Sequence, residues 1–265
     1  MDCLQENPDN KSCECAKFTS FTFVLIHFLP QLRSLNVSVS EMLSNQGVVK
    51  IADLGSQLKE LKIGKHDAAS VKHLLCHGPP LQKFRVSLYR DEEEDVLQHL
   101  THLAGSLEEL EIINNSALGQ KGKLAFMQLP KLKVLKTGFC RIIDRNLFDD
   151  LSSGMLQHLC QLDLKFDRSV TDDSLRLVAQ HCLQLELLGL WECCNVRDLS
   201  DFVSTCKSLR RLGLGGNKWL SGSFLAEIPK YLPSFQYLTV IRCDSIEQSL
   251  LRDFAKQNPR IKVVR

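Results

Sequence analysis

The sequence predicts an α/β solenoid, an arc of about ten repeats of about 26 residues with a parallel β-sheet on its concave side and helices on its convex side. Three observations predict it. An apolar triplet with the spacing of a short strand returns at near-constant intervals from residue 32 to the end. A helical pattern fills the intervals of the second half, and a small polar or sulfur side chain recurs five residues after the middle member of most triplets. A unit of this length cannot bury its own apolar face, so stacked units supply the core for one another.

In chain order, residues 1–17 carry Asp2, Glu6, Asp9 and Glu14 with no apolar period, and are expected to be a flexible leader ahead of one repeat domain over 18–265. Phe18 to Phe28 reads as the helix of a preceding half-repeat, with Leu29 and Pro30 leading into the first strand. The longest apolar stretch, Phe21 to Leu29, falls well short of the roughly 20 residues that cross a bilayer. The acidic residues stand where a signal peptide is cationic, so the expected location is cytoplasmic or nuclear, with no membrane partner.

The triplets follow as Leu32, Leu35 and Val37; Leu58, Leu61 and Ile63; Leu81, Phe84 and Val86; Leu107, Leu110 and Ile112; Leu132, Leu135 and Thr137; Leu159, Leu162 and Leu164; Leu185, Leu188 and Leu190; Leu209, Leu212 and Leu214; and Phe235, Leu238 and Val240. A partial tenth is Ile261 with Val264, and the middle anchors from 35 to 264 are separated by 26, 23, 26, 25, 27, 26, 24, 26 and 26 residues. Alternation turns one face of each short strand inward. The last strand is expected to leave an exposed edge, because no polar helix follows it before Arg265. The clearest helix follows Val170: Thr171 or Asp172 can cap it, and Leu175, Val178, Ala179 and Cys182 share a stripe. Similar helices are expected around Leu199 to Cys206, Phe224 to Leu232 and Gln248 to Gln257.

Five residues after the anchors stand Ser40, His66, Tyr89, Asn115, Cys140, Asp167, Cys193, Asn217 and Cys243. A small hydrogen-bonding side chain suits a place where the backbone turns inward and leaves amides and carbonyls to be paired. His66 and Tyr89 are too large for it, which predicts irregularity in the first third. Cys182 and Cys206 form a second column at helix ends, so most of the 11 cysteines read as small core residues.

The phrases from Leu159 to Cys243, Leu-x-x-Leu-x-Leu-x-x-Cys and Thr-Asp-x-x-Leu followed by a cysteine, resemble the cysteine-containing leucine-rich repeats of F-box/LRR proteins and of their antagonist-of-mitotic-exit-like relatives. The resemblance implies a leucine-rich-repeat solenoid that recognises a substrate or partner in a ubiquitin-ligase setting, with a ligase adaptor as a second partner. No F-box is legible in the roughly thirty residues before the first repeat. The alternative is a stand-alone scaffold or inhibitor that acts by binding.

A net charge of +2, from 33 basic and 31 acidic residues, gives no field to gather nucleic acid. The acidic run Asp91 to Asp95 reads as a solvated loop or first helical turn. GxSxG, Walker, Rossmann and HExxH phrases are absent, so neither an enzyme nor a cofactor is expected. Cys3, Cys13 and Cys15 lack the partner ligands of a zinc site, and the pairs His73 with His77 and His99 with His102 read as solvated helix faces, so no metal is expected. The sequons at Asn10, Asn36 and Asn114 read as chance matches.

The residues between the anchors face the concave side. Early units show mixed polar groups such as Glu60, Lys62, Lys83, Arg85, Glu109 and Glu111. Later units show Leu187, Gly189 and Trp191, then Arg211, Gly213 and Gly215, then Tyr237, Thr239 and Ile241. Aromatic and arginine anchors around a glycine floor suit a protein partner. The expected contact residues are Trp191, Arg211, Tyr237, Leu187 and Ile241, with Phe139 and Phe166 at the rim.

Overall fold

The computed structural model describes residues 32–39, 43–88, 96–113, 125–126, 128–139 and 156–265, together with the backbone of 12–14. The helix expected over 18–28, the acidic run Asp91 to Asp95, and the column positions Ser40, Tyr89, Asn115 and Cys140 lie outside the described residues.

Among the described residues, eleven strands form one sheet in sequence order. They are β1 (Ser12–Glu14), β2 (Ser34–Val37), β3 (Glu60–His66), β4 (Lys83–Leu88), β5 (Glu109–Ile113), β6 (Val134–Gly138), β7 (Gln161–Lys165), β8 (Leu187–Trp191), β9 (Arg211–Gly215), β10 (Tyr237–Ile241) and β11 (Lys262–Val264). All neighbours pair in parallel, which demands a crossover between each pair. Crossovers contain α1 (Asn45–Leu54), α2 (Ala68–His77), a 3-10 helix (Val96–Leu103), α3 (Asp172–His181), α4 (Ser200–Thr205), a 3-10 turn (Ser223–Ala226) with α5 (Ile228–Tyr231), and α6 (Gln248–Gln257). The chain is an α/β leucine-rich-repeat solenoid.

The anchors Leu35, Leu61, Phe84, Leu110, Leu135, Leu162, Leu188, Leu212 and Leu238 pair side by side, so one inward residue per repeat makes a continuous buried row. Helix residues such as Val48, Ile51, Val71, Leu74, Leu175, Val178 and Phe202 close the core from the other side. Each such side chain contributes roughly 1.5–3 kcal/mol by leaving water. Thr171 is the cap of α3: its hydroxyl accepts from the Ser174 amide, and the Ser174 hydroxyl answers the Thr171 amide. Among the described residues no helix is long and apolar enough to cross a membrane.

Four details differ from the sequence expectation. Ser12–Glu14, inside the expected leader, is a strand with Cys13 opposite Leu35. β3 runs through His66 and bulges against β4 between Lys62 and Lys65, which puts Lys65 where Gly64 was expected. The imidazole of His66 is the physical reason: it is too large for the inward turn, so the strand continues and buries it at 3% exposure with Nδ1 3.2 Å from Asn45 Oδ1. The helix expected over Phe224 to Leu232 is broken into a 3-10 turn and α5, with Pro229 near the start of the second piece; proline lacks an amide donor and clashes with the preceding turn. In β11 Val263, not Val264, lies opposite Leu238 and packs on the core.

Candidate functional site

Strand register arranges the outward residues of the C-terminal half in three rows. Leu187, Arg211 and Tyr237 lie side by side at the strand starts. Asp163, Gly189, Gly213 and Thr239 form the middle row, and Lys165, Trp191, Gly215 and Ile241 the last. Five of the expected contact residues therefore border one floor, with the two glycines at its centre.

The glycines of this floor are not equivalent. At Gly215 the Trp191 ring fills the space of a β-carbon, and at Gly189 the Asp163 carboxylate does so. A methyl group on Gly213 would meet nothing closer than 3.8 Å, an ordinary contact, so packing within the chain does not demand glycine there. Glycine in a strand interior is also locally unfavourable. Its value is the open backbone between the two borders. Trp191 keeps 37% of its surface exposed, Arg211 is exposed, and Lys262 Nζ stands 5.5 Å from the Tyr237 ring centre.

Asp163 belongs to the middle row of this floor, a place that the sequence reading did not single out. Its Oδ2 lies 3.9 Å from Lys165 Nζ, whereas Oδ1 is buried with no hydrogen-bond donor among the described residues. An unpaired buried carboxylate oxygen is costly. The signal in the sequence was its outward place between Leu162 and Leu164, one strand from Gly189.

Phe139 and Phe166, expected at the rim, occupy the turns just beyond the strands. Phe139, Phe166, Glu192, Gly216 and Arg242, each four residues after an anchor, have φ of 59°, 56°, 51°, 66° and 54°. This left-handed turn aims the amides of Phe139, Phe166, Glu192 and Gly216 at the last strand carbonyl of the next repeat, at 2.8, 2.7, 2.7 and 2.9 Å. The two phenyl rings stack 4.3 Å apart at 3° and stay partly exposed, forming an apolar step at the strand ends.

The following residue enters the core. Asn217 Nδ2 donates to the Leu190 carbonyl at 3.1 Å, and Cys193 Sγ lies 3.9 Å from the Leu164 carbonyl. The column residue thus reaches back one repeat to pair a strand carbonyl. Burial pushes the thiols of Cys182, Cys193 and Cys206 up to about 12, which removes them as nucleophiles near neutral pH. Cys243 is raised for the same reason.

The N-terminal half of the concave face offers less. Its charges pair across strands: Lys83 with Glu60 and Lys136 with Glu109 at 2.8 Å, and Arg85 with Glu111 at 3.6 Å. The Lys83 hydrogen bond holds the Glu60 carboxyl below its ordinary range. Each exposed pair is worth no more than about 1 kcal/mol, but a partner docking there must break it.

No family model matches the sequence. The chain is 33% identical over 81 residues to Antagonist of mitotic exit network protein 1 of Eremothecium gossypii, a match covering 31% of this chain and 21% of that protein. It thus spans about a fifth of the relative's length. Among solved structures it is similar to the yeast Rad7 and Elc1 complex, with 16% identity, TM-score 0.46, and coverage of 93% of this chain and 83% of that one. It is also similar to the TLR13-ssRNA13 complex, with 20% identity, TM-score 0.49, and coverage of 84% and 32%. By its own repeats, columns and register, the chain has the leucine-rich-repeat fold, with Cys193, Asn217 and Cys243 in the column after its strands.

Proposed function

We propose that this chain is a protein-recognition module that seats a partner on the C-terminal half of its concave sheet. The partner lays a backbone or small side chain over Gly213, between the Leu187, Arg211 and Tyr237 border and the Trp191 and Ile241 border. Gly213 is the observation that carries this reading, because the fold leaves its open surface without a structural explanation. The Phe139 and Phe166 step extends the apolar contact at the strand ends.

The finer setting we propose is substrate or partner recognition in ubiquitin ligation, supported by the F-box/LRR-like repeat phrases of Leu159 to Cys243. A second reading, a free-standing inhibitor that acts by occupying another protein, is favoured by the local similarity to a protein named as an antagonist. Affinity purification with quantitative mass spectrometry on the wild type and Trp191→Ala separates them. Recovery of cullin-ligase adaptors supports the ligase setting. Loss of a different partner on mutation, with no adaptor recovered from the wild type, supports the inhibitor. A partner profile unchanged by Trp191→Ala in a folded protein contradicts the role of Trp191 in either.

A further inference from the structure

We propose that Cys76, His99 and His102 bind a zinc ion on the convex side, tying together the crossovers of two adjacent repeats. Read along the sequence, the two histidine pairs are isolated. The fold sets α2 beside the 3-10 helix Val96–Leu103 and brings Cys76 to the second pair.

The geometry starts from the secondary structure. A 3-10 helix has three residues per turn, so positions i and i+3 share an edge. His99 and His102 accordingly stack, with ring centres 6.1 Å apart and planes 23° from parallel. Leu97, Leu100 and Leu103 of the same helix are buried and anchor it to the core. On α2 the inward residues Val71, Leu74 and Leu75 fix the helix, and Cys76 follows at its half-buried margin.

Cys76 Sγ lies 3.6 Å from His99 Nδ1, and one ligand atom from each of the three residues lies within 4.8 Å of the others. Tetrahedral zinc with Zn–S near 2.3 Å and Zn–N near 2.0–2.1 Å has an S to N edge of about 3.6 Å. Two of the three ligands therefore already stand at the required spacing, and His102, which is exposed, closes the third by turning its side chain. A thiolate with two imidazoles is a donor set suited to zinc and not to magnesium or calcium. The fourth position faces solvent beside His102 and takes water. His73 and His77 are engaged otherwise: His73 Nε2 is 3.0 Å from Asp53 Oδ1, and His77 Nδ1 is 3.2 Å from the His73 carbonyl.

The site joins the crossovers that follow β3 and β4, the second of which is a 3-10 helix. Binding releases the Cys76 thiol proton and any imidazolium proton to solvent, so affinity falls as pH is lowered. An ion held by the folded chain also stabilises it.

The test uses the purified full chain, freed of metal and titrated with cobalt(II), then zinc(II). Expected is one cobalt per chain, with a thiolate-to-metal charge-transfer band that zinc abolishes by displacement. Cys76→Ser loses the band, and His102→Ala weakens binding by at least about tenfold. A Cys13→Ser, Cys15→Ser variant keeps both band and affinity, which separates this site from the N-terminal thiols. In the wild type, zinc slows alkylation of Cys76 as mapped by mass spectrometry and raises the melting temperature, a readout that needs no variant. Absence of protection at Cys76, or a band that survives Cys76→Ser in a chain with wild-type circular dichroism, overturns the proposal.

Discussion

At Gly215 the requirement for glycine comes from inside the chain, because the Trp191 ring occupies the volume of a β-carbon. Gly215→Ala displaces that ring. The strand gains roughly 0.5–1 kcal/mol on replacing glycine, which offsets part of the lost contact, so stability is expected to change by less than about 1 kcal/mol. Tryptophan emission in a Trp219→Phe background is expected to shift while the melting curve barely moves. Unchanged emission contradicts the placement of the ring over Gly215. Alternation of sides made Trp191, Arg211, Tyr237, Leu187 and Ile241 legible in the sequence as outward residues. The unpaired oxygen of Asp163 was not legible, because the lack of a donor is a property of its neighbours in space. Nor was the left-handed backbone at Phe139 and Phe166, since bulky side chains rarely adopt it and only the hydrogen bond to the next repeat reveals why it is tolerated.

Among the elements, two of the departures trace to single side chains. Gln248–Gln257 forms the helix that its stripe predicts, whereas the preceding helix breaks near Pro229. β3 shows what a bulky column residue does, for His66 lengthens the strand and is buried in the process. Desolvation by burial lowers its pKa, partly countered by the charge of Asp67. The unfolded chain binds a proton at His66 near its ordinary 6.5, and the folded chain does so only at lower pH. Unfolding free energy is therefore full above pH 6.5 and falls as pH drops below it, with a slope of at most about 1.4 kcal/mol per pH unit from this group. Denaturant titrations at several pH values are expected to show this loss in the wild type and less of it in His66→Gln. Equal slopes in the two proteins contradict the assignment.

For the whole molecule, period and register carried most of the architecture. A triplet returning about every 26 residues can satisfy its inward face only by stacking beside its predecessor, and nine anchors from Leu35 to Leu238 do so in one row. The division of the concave face into a charge-paired half and an open apolar half was visible only in part. Residue types distinguished the halves, but the pairing of Glu60 with Lys83 and of Glu109 with Lys136 depends on strand neighbours far apart in sequence.

The central claim, that the open floor at Gly213 holds a protein partner, is tested most directly by Gly213→Leu. The variant fills the floor where the backbone has room for a β-carbon, so it is expected to melt at or above the wild-type temperature. Partner recovery, measured by quantitative mass spectrometry beside the wild type and a Lys83→Ala control from the charge-paired half, is expected to fall at least about tenfold for one set of proteins, a loss of about 1.4 kcal/mol or more, and to be unchanged in the control. Equal recovery by a folded Gly213→Leu protein would contradict the account and leave Gly213 without a binding role.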